Sequence, residues 1–137
     1  MKEIKPRSAC PISSALDIVG DKWSLLIIRD LMFKGKNTYT DFIKSDEKIA
    51  TNILADRLAT LEHAGILFKE EHPESKAKYL YRLTPKGIDL MPVLIEIIVW
   101  SDKYGDFSDE VKAFATKAKR GRAKLIKQTA SRLKIND

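Results

Sequence analysis

Residues 48–65 read KIATNILADRLATLEHAG, and residues 66–83 read ILFKEEHPESKAKYLYRL. In the first stretch Leu54, Leu58 and Leu61 recur at helical spacing and share one side, leaving Asn52, Asp56 and His63 on the other. Gly65 supplies a stop, and the second stretch follows as strand, polar tip and strand. Just upstream, TYTDFIKS (residues 38–45) turns Phe42 and Ile43 inward on a shorter helix. A short charged linker, Asp46-Glu47-Lys48, joins the two helices.

Helix, turn, helix and ribbon in that order is the layout of a winged helix-turn-helix, mainly α with a small β-ribbon. A helix entering the major groove presents its first two turns to base edges. Here those turns offer Thr51, Asn52, Ala55 and Asp56. The Asn52 carboxamide both donates and accepts, so it can match adenine bidentately, whereas Asp56 can accept from a cytosine amino group. The plainer reading is that Thr51 and Asn52 only cap and solvate the helix. Arg57, at the border of the apolar side, suits a salt bridge or a phosphate contact. Thr40 can lie against a phosphate, and Lys48 joins the candidate DNA contacts. At the ribbon's tip, residues 73–78, Ser75, Lys76 and Lys78 can follow the backbone or enter the minor groove. Glu70, Glu71 and Glu74 dilute that positive field.

Basicity alone does not make this argument. The net charge is +6, yet residues 108–137 carry nine Lys/Arg against three Asp/Glu, while residues 1–107 carry sixteen of each. The excess positive charge lies entirely in the tail. At 137 residues with 44% apolar content, one domain with a sizeable core is expected. The apolar run Leu94–Trp100 is interrupted by Glu96 and is too short to span a bilayer, and MKEIKPRSACPISS lacks the apolar core of a secretory signal. A cytoplasmic protein with no membrane partner is the expectation. One cysteine, Cys10, excludes an internal disulfide, and neither His63 nor His72 has a partner at metal-ligand spacing. No metal or cofactor is expected. Neither a Ser/His/Asp or Cys/His pairing, a phosphate-cradling glycine loop nor a carboxylate cluster points to an enzyme.

Outward from the centre, residues 1–9 read as a polar, mobile arm. Cys10-Pro11 opens a helix over SSALDIVG, with Ala15, Leu16, Ile18 and Val19 apolar, broken at Gly20. Asp21 is placed to cap the next helix, DKWSLLIIRDLMFKG, whose apolar residues run nearly all round it. Such a helix is the central post of a core, with its Trp and Met there for packing. Beyond the ribbon, Thr84-Pro85 signals a helix start, and one helix kinked at Pro92 is expected to run toward Tyr104 and Gly105. Its apolar surface is wider than one domain needs. Leu94, Ile97, Ile98, Trp100 and Tyr104 are therefore expected to meet a second copy, with Ile12 and Leu16 of the first helix as the other half of a dimer interface. Residues 108–137 form a basic amphipathic extension, interrupted or bent near Gly121. Its readings, in order, are a dimer arm, a contact to flanking DNA backbone, and an anionic membrane surface.

Several segments resemble one known family. CPISSALDIVGDKW, LLIIRDL, TDF, ILADRLATLEHAGIL, YRLTPKG and PVL with a later Trp are similar to the HxlR-type transcriptional regulators, relatives of the MarR group. The resemblance covers residues 10–104 and implies a homodimeric regulator binding double-stranded DNA at a pseudo-palindromic operator. It implies a recognition helix at residues 51–64, a wing at residues 67–83, and a dimer built from the first and last helices of the conserved region. In some members the cysteine matching Cys10 is a thiol switch for oxidants or electrophiles, which would require exposure and a stabilised thiolate. The other reading of Cys10 is a small residue at a helix start. An apolar small molecule between dimer helices is the other candidate effector. Where Ala50 and Asn52 stand, the family commonly has Ser/Thr and a basic residue, so the helix cap is expected to shift to Thr51 and specificity to differ. The expected organisation is an arm (1–9), a DNA-binding and dimerisation domain (10–107) and the tail (108–137). The reading from another class is a winged helix serving as a protein–protein adaptor.

Overall fold

Asp21 decides where the second helix begins. Its Oδ2 accepts from the backbone N–H groups of Trp23 (3.0 Å) and Ser24 (2.9 Å), and its Oδ1 accepts from the Ser24 hydroxyl (2.6 Å). The computed structural model describes residues 3–135. Met1, Lys2, Asn136 and Asp137, the ends of the expected arm and tail, lie outside the described residues. The chain divides into two compact units, Met1–Gly87 and Ile88–Asp137.

In the first unit, helix α1 (Pro11–Val19) starts with proline at its first position, where no N–H is needed. Arg7 ties the preceding arm to it, donating to Asp17 through Nε at 2.5 Å and through its backbone N–H at 3.3 Å. Helix α2 (Ser24–Phe33) buries Ile27, Ile28, Leu31 and Met32 and is the central post of this unit. Helices α3 (Tyr39–Ile43) and α4 (Thr51–His63) follow, and α4 buries Leu54, Leu58 and Leu61, the apolar side anticipated from spacing. With Phe42, Ile49, Ile66, Leu67 and Leu83 these residues make a continuous apolar core, removed from water at a gain set by the area they bury.

Strands β1 (Leu67–His72) and β2 (Ser75–Leu83) pair antiparallel from Leu67↔Leu83 to Glu71↔Tyr79, with an irregularity before His72↔Ser75. The turn is Pro73-Glu74, so Lys76 and Lys78 sit on β2 itself. Only the root of the ribbon is buried, at Leu67 and Leu83, so the rest projects as a wing. The free side of β2 is braced by Tyr81, whose N–H donates to the Asn37 carbonyl (2.8 Å) and whose ring meets Phe42 edge-on at 5.9 Å.

The kinked helix expected after Thr84 is two helices. Helix α5 (Pro85–Ile88) is a single turn, and α6 (Met91–Tyr104) begins anew after Asp89-Leu90, with Pro92 in its first turn. Proline there starts a helix rather than bending one. The second unit contains α6, α7 (Asp109–Arg120) and α8 (Arg122–Ile135), each packed on the other two. Ala115 and Ala118 of α7 are wholly buried, joined by Leu125 and Thr129 of α8. The structural boundary therefore falls after Gly87 rather than at residue 107, and α6 groups with the tail. The interruption at Gly121 stands where the sequence suggested.

Candidate nucleic-acid interface

Helix α4 begins at Thr51 with Ala50 as its cap residue, and no side chain caps it. The expected shift of the cap to Thr51 does not occur, because Thr51 is already helical. Its orientation is set instead by Tyr39 of α3, whose hydroxyl donates to the Thr51 carbonyl (2.8 Å). Thr51, Asn52, Ala55 and Asp56 are all exposed on one outward row, together with the edge of Ile53. Asp56, the single carboxylate of residues 51–57, does not stand alone on that row. Arg57 donates to it at 2.5 Å and reaches Asp21, at the start of α2, at 3.4 Å. Arg57 is thus a structural cation whose pKa is raised, above all by the Asp56 carboxylate.

Upstream, α3 starts with a reciprocal capping box: the Thr38 side chain accepts from the Asp41 N–H (3.1 Å), and Asp41 accepts from Thr38 N–H (3.2 Å). Burial pushes the Asp41 carboxyl up, but bonds from Asn37 and Thr38 hold it below its ordinary value. Thr40 is exposed on this helix. The turn into α4 carries Lys48, exposed and with φ +57°, a left-handed conformation that non-glycine residues rarely adopt.

The turn is fastened from beneath by a polar network that sequence reading missed. Asp30, 2% exposed, accepts from Arg29 Nε (3.0 Å) and Nη2 (2.9 Å) and from the Ser45 hydroxyl (2.6 Å). Lys36 donates to the same Ser45 oxygen (3.0 Å). Arg29 also grips Glu47 through two bonds, 2.7 and 2.9 Å, and that guanidinium is what draws the Glu47 carboxyl down to about 2. An Arg-Asp pair in the middle of an otherwise apolar helix was the available signal, since buried charge requires partners.

A second fastening holds the other end of α4. Gly65, at φ +77°, closes a Schellman turn in which Ile66 N–H donates to Leu61 O (2.9 Å) and Gly65 N–H to Glu62 O (3.0 Å). The Thr84 hydroxyl then bonds the carbonyls of Gly65 (2.5 Å) and Ile66 (3.0 Å), while the Lys86 ammonium bonds that of Ala64 (2.8 Å). Gly87 completes this clasp because a Cβ there would collide with the Ile66 carbonyl. The wing carries exposed Lys76 and Lys78 beside a half-buried Ser75, and its root is stiffened by an Arg82–Glu70 pair and by Lys69 over the Tyr79 ring.

The structure thus brings Thr40, Lys48, Thr51, Asn52, Ala55 and Asp56 onto neighbouring elements of one unit, and sets Ser75, Lys76 and Lys78 on its wing. Cys10 is exposed at the N-cap of α1. Ile12 (73%) and Leu16 on α1 are exposed, as are Ile97, Trp100 (67%) and Tyr104 (70%) on α6. Ile98 is half-buried. Leu94, expected at the dimer interface, is instead buried in the chain's own core at 7% exposure. The described residues contain no group of His, Cys, Asp and Glu able to hold a metal, and no helix long and apolar enough to cross a membrane.

Known proteins resemble this chain in sequence and in fold. YdeP of Bacillus subtilis (strain 168), an HTH-type transcriptional regulator, is 34% identical over 104 residues, covering 76% of this chain and 80% of its own. The crystal structure of PA1607 matches with a TM-score of 0.66 at 40% identity, over 75% of this chain and 70% of that one. The redox regulator HypR in its oxidized form matches at 0.63 and 28% identity, over 72% of this chain and all of HypR. The model of the HxlR-like helix-turn-helix family matches residues 18–109, which carry both the reading helix and the wing. With the family model spanning residues 18–109 and a relative 34% identical over 76% of the chain, this chain belongs to the HxlR-like helix-turn-helix family, DNA-binding regulators of transcription rather than enzymes.

Proposed function

We propose that two copies of this chain bind one pseudo-palindromic duplex, each inserting the start of α4 into the major groove and laying its wing on the backbone or in the minor groove. The observation that carries this reading is the exposed row Thr51, Asn52, Ala55 and Asp56 on a helix fixed at both ends. Asn52 reads a base, Thr40, Lys48, Lys76 and Lys78 meet phosphates, and Arg57 neutralises Asp56 so that the row does not repel the duplex. The apolar faces at Ile12 and Leu16 on α1 and at Ile97, Trp100 and Tyr104 on α6 supply the contacts between copies. That pairing sets two reading helices about 34–36 Å apart, one turn of DNA. The protein acts in the cytoplasm, with the chromosome.

A gel-shift with duplexes selected for binding tests the reading. Asn52→Ala should lower preference for the selected site by roughly 5- to 150-fold, the worth of one bidentate base contact, and leave mixed-sequence binding in place. Equal loss on every sequence would contradict a base-reading role. Trp100→Glu should give a monomer by sedimentation; an unchanged dimer would remove α6 from the interface. Control through Cys10 takes the form of thiol–disulfide exchange: its thiolate displaces one thiol from a small disulfide and stays as the mixed disulfide. The exposure of Cys10 and the likeness to a redox regulator support this, and a thiol-reversible mass gain that abolishes the gel-shift tests it.

A further inference from the structure

Residues 117–134 contain eight Lys/Arg and no Asp or Glu. Among the described residues, only Arg122 in that stretch has a carboxylate partner, Glu96. Lys117 and Arg120 on α7, and Lys124 and Gln128 on α8, line one open groove over Gly121, where the two helices meet. Their spacings, three and four residues, place each pair on one face of its helix. The first turn of α8 holds no acidic residue of its own, and the carboxylate that reaches it, Glu96, offsets Arg122 alone.

What these helices keep from solvent matters as much as what they show. Ala115, Ala118 and Leu125 are buried, and no large apolar side chain of α7 or α8 is among the exposed ones in the described residues. Val111, Phe114, Ile126 and Leu133 are half-buried, so among the described residues the fully exposed side chains of the pair are mainly Lys, Arg and other polar ones. What it offers is cationic and polar. Residues 1–87, the unit of α4 and the wing, carry fifteen Lys/Arg among twelve Asp/Glu, a diluted positive field, whereas residues 117–134 have no carboxylate of their own. The tail's cations therefore suit the counterion-release affinity on which non-specific DNA binding rests.

We infer that the α7–α8 pair is a second, sequence-independent DNA-binding surface, with duplex phosphates seated over the groove of Lys117, Arg120, Lys124 and Gln128. The tail supplies affinity and α4 supplies choice. The choice of DNA as partner rests on the function proposed above; the cationic surface does not.

The test is fluorescence anisotropy on the full chain with a mixed-sequence duplex of about four helical turns and with a selected site, across a range of salt. The variant K117Q/R120Q/K124Q keeps good helix formers and should fold, as circular dichroism will verify. Its slope of log K against log salt on the mixed duplex should fall by about 2 to 3, near 0.9 for each phosphate no longer neutralised. Preference for the selected site should survive, and K117R/K124R should bind as wild type. A wild-type slope in the triple variant overturns the inference. So does loss of binding to phosphatidylglycerol vesicles with an unchanged duplex slope, which would assign the surface to a membrane. Asn52→Ala run in parallel separates the two ideas: if it keeps site preference while the triple variant loses slope, the α4 reading fails and the tail's role stands.

Discussion

Two junctions between helices show opposite construction. The turn from α3 to α4 is held by a buried carboxylate that receives a guanidinium and a hydroxyl, and by a second carboxylate gripped through two bonds. The junction of α7 and α8 at Gly121 has no buried carboxylate; alanine burial holds the helices, Arg122 alone pairs with Glu96 at the surface, and the other cations around the break have no carboxylate partner among the described residues. Directional bonds are used where a surface must be aimed, since their geometry tolerates little error. A surface that only offers charge to a uniform phosphate chain needs no such aim.

That contrast can be broken in graded ways. Asp30→Ala should have the largest effect, up to about 3 kcal/mol in urea unfolding, because it takes two bonds from a partly buried guanidinium that keeps only Glu47 and leaves the buried Ser45 hydroxyl without its acceptor. A loss no greater than that of Glu47→Ala would place the aim of the turn elsewhere. Ala118→Leu probes the other junction, where overpacking should cost about 1–3 kcal/mol; no cost would mean that α7 is not closely packed. Glu47→Gln sharpens the first junction through pH. The carboxyl ionises near 2 in the fold against 4.5 ordinarily, so the unfolded chain takes up its proton first. Its stabilising effect is complete above pH 4.5 and fades as pH falls toward 2, so the gap between wild type and Glu47→Gln should close over that window. The group is partly exposed, so the gap at neutral pH should be on the order of 1 kcal/mol. Smallest is Lys48→Gly, which relieves the left-handed backbone and should raise stability by about 0.5 kcal/mol while weakening DNA binding if Lys48 meets a phosphate.

Regular spacing made much of this legible. Leu54, Leu58 and Leu61 revealed α4 and its exposed row, and Gly65 marked its end, because both are local signals. The ribbon and the break at Gly121 were readable for the same reason. What stayed hidden depends on partners distant in sequence. Asp30 and Ser45 are fifteen residues apart, and Lys86 and Ala64 twenty-two, so no window over the chain joins them. The two helices after Thr84 were read as one because Pro85 and Pro92 are each valid starts, and apolar spacing alone does not say that the chain uses both. Leu94 was misplaced because apolar periodicity does not say which side of a broad stripe a neighbour covers.

The fastening at Thr84 and Lys86 has a mechanical corollary. β1 leaves directly from the last turn of α4, and β2 returns to be pinned at the same spot. With both legs anchored there, the ribbon is a lever whose fulcrum is the helix end. A push on the tip becomes a torque on α4, so in the proposed complex the distance between adjacent grooves would bias how deeply Asn52 sits, and duplex shape would be felt at the base edge without any residue touching the intervening pairs.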